Sequence, residues 1–223
     1  MDLQIEILNN GRKSMVMKIA SLKFSTEEEP FFDDDEEPLF DDVEIDEEGN
    51  VEYFNEKRQH HRLNGPAIEF PSGTKEWRVN GQLHRVDGPA IEYPGGAGIW
   101  YYEGKKHRVG GPAVEWWDGD KEWWENDERH RLDGPAEEYA NGYKAWWVRG
   151  KRHRLDGPAV EFPNGTKAWY VNNKRHRLDG PAVECANGKK EWYVNGRRIG
   201  TSKKGFTDRD FERWKKEHGY KNS

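Results

Sequence analysis

The chain has 223 residues, of which 33% are hydrophobic and 35% charged, and its mean hydropathy is −1.18. These values exclude an ordinary two-layer globule with a thick apolar core, and no run of eighteen apolar residues is present that could span a membrane. The formal net charge of −6 is unevenly distributed, because residues 25–56 hold sixteen acidic side chains and no lysine or arginine, while the rest of the chain is basic.

The N-terminal region, residues 1–24, is expected to form a small β-hairpin. Residues 3–7 and 15–19 have strand composition, and the Asn9-Asn10-Gly11 stretch between them is typical of a turn. This region lacks an apolar run of signal-peptide length, so we expect a soluble protein located in the cytoplasm.

The acidic segment, residues 25–48, is predicted to be largely disordered. Its few apolar side chains lie among carboxylates, which is typical of a segment that folds on a partner; they are Phe31, Phe32, Leu39 and Phe40. We expect it to contact a basic partner or the chain's own repeats.

A 23-residue repeat fills most of the chain. Its six copies begin at His61, His84, His107, His130, His153 and His176, with no insertion between them. The copies share an Arg after the His, a Gly-Pro-Ala element, a Glu two residues later and a Trp near the end. Together with a degenerate half-copy that has Tyr53 at the Trp position, the array covers residues 49–198.

Each copy is predicted to form a β-hairpin. In the fifth copy Asn164-Gly165 predicts a two-residue turn, which sets Val160 opposite Trp169. This register places four residues on one face, Val160, Phe162, Trp169 and Val171, and four on the other, Ala159, Glu161, Ala168 and Tyr170. In the Asp-Gly-Pro-Ala element we expect Asp to cap its turn, Gly to take unusual backbone angles and Ala to leave room for a ring.

The predicted fold is all-β: an elongated, single-layer antiparallel meander of stacked hairpins, twelve strands from six copies, with a short C-terminal helix. Ladders of aromatic rings are expected to replace a thick core. Cys185, the only cysteine, occupies a position that is aromatic in other copies, so we expect it to be a packing residue in a reducing compartment.

The last residues, 199–223, are predicted to cap the array with a helix and a tail. Thr207 and Asp210 have the spacing of a capping box, and Phe206 and Phe211 have that of a hydrophobic staple. Gly219 is expected to end the helix, and Phe211 and Trp214 to pack on the last hairpin.

The 23-residue period, the Asn-Gly-Lys/Arg run before the His and the Pro-Asn-Gly or Pro-Ser-Gly turn resemble the MORN repeat and its bacterial YwqK-type variants. The His-Arg-x-Asp-Gly-Pro-Ala form differs from the usual pattern, which has Gly after the His, and is similar to repeat proteins of large DNA viruses and phages. The resemblance implies a single-layer β ribbon used for protein or lipid contact, with no catalytic machinery, and a viral protein in the host cell or virion as a further expectation.

The repeated His-Arg pair is expected to be structural. Equivalent residues of adjacent copies lie about 9.6 Å apart, whereas two nitrogens that share a zinc ion lie within about 3.5 Å. We therefore expect no metal site, no catalytic residue and no cofactor, and we expect Arg to pair with the repeated Glu or with the turn Asp.

Basic clusters recur at the junctions between copies and have two interpretations. They form either a solvated edge that prevents aggregation or a stripe that binds the phosphates of nucleic acid or anionic lipid. The residues of the second interpretation are Lys106, Arg108, Arg131, Arg152, Arg154, Arg175 and Arg177.

Aromatic residues are concentrated in copies three and four, where they either stack or anchor a partner. The candidate partner-binding residues are Tyr101, Trp116, Trp117, Trp124, Trp147 and Tyr170. The sequence favours a non-enzymatic protein-interaction or scaffold module. The alternative is a phosphate-binding module that is regulated by the acidic segment.

Overall fold

The computed structural model describes residues 42–220, together with the backbone of two N-terminal strands, 5–8 and 16–19. None of the helices in these ranges is long and apolar enough to cross a membrane. The chain divides into two compact units, residues 1–105 and residues 106–223.

The described strands are short, and most contain two residues. In chain order they are β1 (Ile5–Leu8), β2 (Val16–Ile19), β3 (Asp42–Ile45), β4 (Val51–Phe54), β5 (Ile68–Glu69), β6 (Lys75–Glu76), β7 (Arg78–Val79), β8 (Gln82–Leu83), β9 (Ile91–Glu92), β10 (Gly98–Ile99), β11 (Tyr101–Tyr102), β12 (Lys105–Lys106), β13 (Val114–Glu115), β14 (Lys121–Glu122), β15 (Trp124–Glu125), β16 (Glu128–Arg129), β17 (Glu137–Glu138), β18 (Lys144–Ala145), β19 (Trp147–Val148), β20 (Lys151–Arg152), β21 (Val160–Glu161), β22 (Lys167–Ala168), β23 (Tyr170–Val171), β24 (Lys174–Arg175), β25 (Val183–Glu184), β26 (Lys190–Val194) and β27 (Arg197–Thr201). A 3₁₀ helix (Ser202–Lys204) and one α-helix, α1 (Asp208–Glu217), follow.

Over residues 42–220, fifteen strands form an antiparallel main sheet, and their order in the sheet follows their order along the chain. In the first unit their order is β3-β4-β5-β6-β9-β10, and in the second it is β13-β14-β17-β18-β21-β22-β25-β26-β27. Each copy of the repeat supplies two of these strands, so the prediction of an all-β hairpin meander with twelve repeat strands is confirmed.

The strands of the predicted N-terminal hairpin are confirmed, since β1 pairs antiparallel with β2 and Ile5 lies opposite Ile19. Its turn is outside the described residues.

The predicted disorder of residues 25–48 is wrong for the last part of that segment. β3 pairs with β4, and the Asp46 carboxylate accepts hydrogen bonds from the backbone of Glu48 and Asn50, both at 2.9 Å, which orders the turn between the strands. Residues 25–41 lie outside the described part.

The main-sheet turn differs from the predicted one. Phe162 N–H donates to the Thr166 carbonyl (2.9 Å), which closes a three-residue loop in which Gly165 has φ +85° and Asn164 has no positive φ. A three-residue loop with its last residue left-handed is a common hairpin type. It shifts the register by one residue, so that Val160 lies opposite Ala168.

That shift makes the predicted division into two faces wrong, because a one-residue slip turns the second strand over. Val160 and Ala168 share a face and form a buried cluster with Ala145 and Val183. Tyr143, Trp147, Tyr170, Tyr193 and Cys185 pack against this cluster, as expected of Cys185. Trp169, which follows Ala168 directly, points to the opposite side of the sheet.

Copies one to five each contain a second hairpin that the sequence analysis did not predict; in the sixth copy the equivalent hairpin is β26–β27, whose strands belong to the main sheet. After Trp169 the chain leaves the main sheet, and β23 pairs with β24 around Asn172-Asn173, both of which have positive φ (49° and 65°). Two consecutive positive φ values define the type I′ turn that the prediction had placed at Asn164-Gly165. We call these units the side hairpins; in the described part they are β7–β8, β11–β12, β15–β16, β19–β20 and β23–β24.

The C-terminal cap matches its prediction. Thr207 and Asp210 form a capping box at the start of α1, and Gly219 has φ +75° just after its end. Phe211 is buried with Trp192 and Val194 of β26, and Phe206 and Trp214 pack around them.

Gly200 explains why the array can end here. It lies on β27, where the next copy would place its Arg, and a Cβ at this position would collide with the ring of Phe206. Phe206 instead packs edge-on against Trp192, with 5.2 Å between ring centroids.

Candidate interaction site

The repeated Arg is the structural centre of each copy. Arg131 lies over the ring of Trp123, with 4.0 Å between Cζ and the ring centroid. Its Nε donates to Asp133 (2.9 Å), and its Nη1 donates to Glu138 (3.0 Å) and to the Pro135 carbonyl (3.2 Å). The expected pairing of Arg with the repeated Glu and the turn Asp is confirmed.

The same contacts recur along the chain. In the second unit Arg154 lies over Trp146 and Arg177 over Trp169, and in the first unit Arg62 lies over Tyr53 and Arg85 over Trp77, all at 3.8–4.1 Å. The Asp side chains stay exposed, and the guanidinium beside each lowers the pKa of that carboxyl at Asp87, Asp133, Asp156 and Asp179.

The glycine of the Asp-Gly-Pro-Ala element has a different role from the predicted one. Gly134, Gly157 and Gly180 have no positive φ. A Cβ on Gly157 would lie 2.9 Å from Cζ of Arg154, so the glycine leaves room for the guanidinium of its own copy. The Asp-Gly-Pro-Ala element therefore forms the binding site for the guanidinium of its own copy.

The histidines hold the turns of the side hairpins and, in the sixth copy, the equivalent turn between β26 and β27. Nδ1 of His130 accepts the N–H of Arg149 (3.1 Å), and Nδ1 of His176 accepts that of Asn195 (3.1 Å); both donors have φ +49°. Burial lowers the pKa of His176, which favours the neutral imidazole. Among the described residues no group of three potential metal ligands comes together.

The predicted phosphate-binding residues fall into two sets. Arg108, Arg131, Arg154 and Arg177 belong to the junction row just described, and each has a carboxylate partner. Lys106, Arg152 and Arg175 lie on the side hairpins and alternate with rings, as does Arg129, which the sequence analysis did not select.

This second set forms a cation–aromatic row in the second unit. Lys106 and Arg129 lie over Trp124 at 4.7 and 4.5 Å. The next cation, Arg152, lies 4.8 Å from the centroid of Trp147, and Arg175 donates to the hydroxyl of Tyr170 (3.2 Å). Cation–aromatic contacts stabilise such a row and position its cations.

Carboxylates neutralise part of the row. Glu137 is 5% exposed; it lies 2.8 Å from Nε of Arg129 and accepts the indole N–H of Trp147 (2.9 Å). Glu122 accepts the indole N–H of Trp124 (2.9 Å). Within residues 42–220, by contrast, no carboxylate lies within 4.0 Å of Arg152, and its buried Nε lacks a hydrogen-bond partner.

An open groove of about 440 Å³ lies at this point. Arg129 and Arg152 line it together with Glu137 and an aromatic wall; the wall consists of Tyr139, Tyr143, Trp147 and Phe162. Burial and the charge of Glu122 raise the pKa of Tyr139, and burial and the charge of Glu137 raise that of Tyr143, so both phenols are neutral at physiological pH. We call this the aromatic groove.

The predicted partner-binding residues occupy unlike environments. Trp117 is 70% exposed, and its ring lies edge-on to Trp116 with 5.7 Å between centroids. Trp124, Trp147 and Tyr170 are half-buried in the cation–aromatic row. Tyr101 begins β11 in the first unit.

Sequence reasoning missed the walls of the aromatic groove, Arg129, Tyr139, Tyr143 and Phe162. The signal was present in the recurrence of Trp124, Trp147, Tyr170 and Tyr193 at one repeat position and of Arg129, Arg152 and Arg175 at another. The side hairpin explains this recurrence, because it places the ring at the first position beside the arginine at the second.

The chain matches no protein-family model and no curated protein.

Proposed function

We propose that the protein is a non-enzymatic scaffold that binds a protein partner through the aromatic surface of its third and fourth copies. The observation that carries the proposal is Trp117, a tryptophan that is 70% exposed. Large aromatic side chains held in solvent are enriched among the residues that dominate binding energy at protein interfaces. The likeness to MORN repeats, which implies protein or lipid contact, supports the same conclusion.

The aromatic groove supports a protein ligand as well. Its wall is apolar and aromatic, while Arg152 offers a guanidinium with no carboxylate partner among the described residues. A peptide with an acidic and an aromatic side chain would satisfy both features, since its carboxylate would bind the guanidinium of Arg152 and its ring would pack against the aromatic wall.

The proposal predicts that Trp117→Ser abolishes capture of the partner without loss of stability. The tagged full-length chain would be used for affinity purification with crosslinking, and the captured proteins compared by mass spectrometry. Val86→Ser, at a residue of the first unit that is 82% exposed, is the matched control and should retain the partner. Identical capture by the wild type and Trp117→Ser would contradict the proposal.

The alternative, a phosphate-binding module, keeps one supporting observation, namely the unpaired charge of Arg152 within the described region. The junction arginines are engaged with carboxylates, which disfavours a stripe of free cations. A chain lacking residues 1–41 retains β3 and β4, and it should not gain salt-dependent binding to single-stranded DNA or to anionic vesicles if the protein-interaction proposal holds. Such a gain would favour the alternative.

A further inference from the structure

An exposed aliphatic residue recurs at the third position of the repeat. In the second unit Val109, Leu132 and Leu155 are 86%, 79% and 79% exposed, and in the first unit Leu63 and Val86 occupy the same position and are exposed too. A single exposed leucine is ordinary. The third repeat position remains exposed to solvent in these copies, so packing within a copy does not explain why it is always aliphatic.

The sixth copy shows what this position can bind. There Leu178 is half-buried, because α1 covers it together with Trp192 and Val194, and Phe211 of α1 is 1% exposed in the same cluster. Lys215, four residues after Phe211, donates from Nζ to the Leu178 carbonyl (2.7 Å). The chain therefore binds one amphipathic helix at this repeat position.

The fourth copy presents the equivalent residues with no helix over them. Leu132, Trp146 and Val148 lie two repeat lengths before Leu178, Trp192 and Val194, and they line an open groove of about 440 Å³. Leu155 and Asp156 of the fifth copy line its other side. We call this the leucine groove.

Its width suits a helix. Equivalent residues of adjacent copies are two strands apart, about 9.6 Å, and an α-helix with its side chains is about 10 Å across. The leucine groove is also distinct from the aromatic groove: Trp146 lines the former and its neighbour Trp147 the latter, as expected of adjacent residues that point to opposite sides.

Two features define the chemistry of the occupant. Arg154 covers the face of Trp146 at 4.1 Å, where the sixth copy has Gly200 and Phe206, so the free apolar contacts are Leu132, Leu155 and the side of Val148. Asp133 and Asp156 stand at the rim with side chains 83% and 84% exposed; each holds the Arg of its copy at 2.9 Å and keeps its remaining acceptor positions open to solvent. Both features fit a helix with an apolar face flanked by basic residues.

We propose that the leucine groove binds an amphipathic helix of a partner protein, which inserts an apolar anchor between Leu132 and Leu155 and places a lysine four residues later near the rim carboxylates. The α1 contact within the chain is the template for this binding. The proposal concerns a different surface from Trp117 and does not rest on the proposed function.

The test uses the full-length chain and a fluorescein-labelled peptide of residues 206–220 as the helix probe. We expect saturable binding by fluorescence anisotropy, and an affinity at least tenfold lower for Leu132→Ser/Leu155→Ser, since each exposed leucine becomes buried in the complex. Trp117→Ser is the control and should bind the peptide as the wild type does. A peptide with Phe211→Ser and Lys215→Glu should fail to bind wild-type protein, which tests the proposal without altering the fold.

A photo-crosslinkable phenylalanine analogue at peptide position 211 locates the complex. Crosslinks within residues 132–156 support the proposal. Crosslinks confined to residues 178–206 would mean exchange with the chain's own α1 and would overturn it, as would unchanged affinity in the double leucine variant or no saturable binding.

Discussion

At the scale of single residues, each copy is organised around one arginine whose guanidinium both stacks on a ring and donates hydrogen bonds. The planar guanidinium of Arg154 stacks on Trp146 while its edge donates to Asp156 and to the Pro158 carbonyl. Lysine could not make this arrangement, because it lacks a plane and a fork of donors. The contact joins the start of one copy to the end of the previous one, so it links neighbours as well as stabilising each copy.

The glycine three residues after the Arg should be required for stability only when the Arg side chain is present. We expect Gly157→Ala to destabilise the protein by about 1–3 kcal/mol, since its Cβ would overlap the guanidinium of Arg154. In an Arg154→Ala background the same alanine should cost about 0.5 kcal/mol or less. Urea denaturation of the four proteins measures this coupling.

Equal costs of Gly157→Ala in both backgrounds would contradict the steric explanation and would indicate a purely backbone requirement for glycine.

At the scale of elements, each copy contains two turns of different type. The main-sheet turn uses three residues with one left-handed glycine, and the side-hairpin turn uses two left-handed residues. The side-hairpin turn tolerates non-glycine residues, because the histidine of its copy accepts the N–H of the first turn residue, as His84 does for Glu103 (3.1 Å). Polar closure of the turn therefore offsets part of its backbone cost.

Arg149 is a strained member of this set, with φ +49° at a position that favours Asn. We expect Arg149→Asn to stabilise the protein by about 0.5–1 kcal/mol, because asparagine adopts the left-handed conformation more easily. The reverse change, Asn172→Arg at φ +49°, should destabilise it by a similar amount. The shift in urea midpoint at constant m-value is the measurement.

If both variants unfold at the wild-type midpoint, then turn conformation does not limit the stability of the side hairpins.

At the scale of the whole molecule, the array ends where its own pattern is broken. Gly200 replaces the repeated Arg, Phe206 takes the place of the guanidinium against Trp192, and α1 packs on Leu178. Repeat arrays need a terminal unit that differs from the internal ones, because an internal copy would leave its stacking surface open.

Restoring the repeat should therefore remove the cap. We expect Gly200→Arg to displace Phe206 and release α1, at a cost of about 2–5 kcal/mol from the lost burial of Phe211 and Trp192. Trypsin should then cleave at Lys215, which is 3% exposed in the native protein. Arg197→Ala, at an exposed site on the same strand, is the control and should leave cleavage slow.

Continued protection of Lys215 in Gly200→Arg would show that α1 is held by contacts other than those of Phe206.

The sequence by itself determined the repeat length, the strand-rich class, the twelve repeat strands, the Arg–Glu and Arg–Asp pairing and the capped helix. Each of these follows from local chemistry or from identity of position: Thr207 can cap only its own helix, and an Arg repeated with a Glu at constant spacing meets that Glu in every copy.

Only the tertiary structure decided the register, the second hairpin and the two grooves. The Asn164-Gly165 dipeptide suits a two-residue or a three-residue turn, and the choice between them reverses which of Ala168 and Trp169 faces Val160. Residues that line a groove come from copies tens of positions apart, such as Leu132 and Leu155, and their proximity depends on strand pairing that no local pattern encodes. The physical reason is that a sheet has a period of two, so one residue of turn geometry decides on which side every later side chain lies.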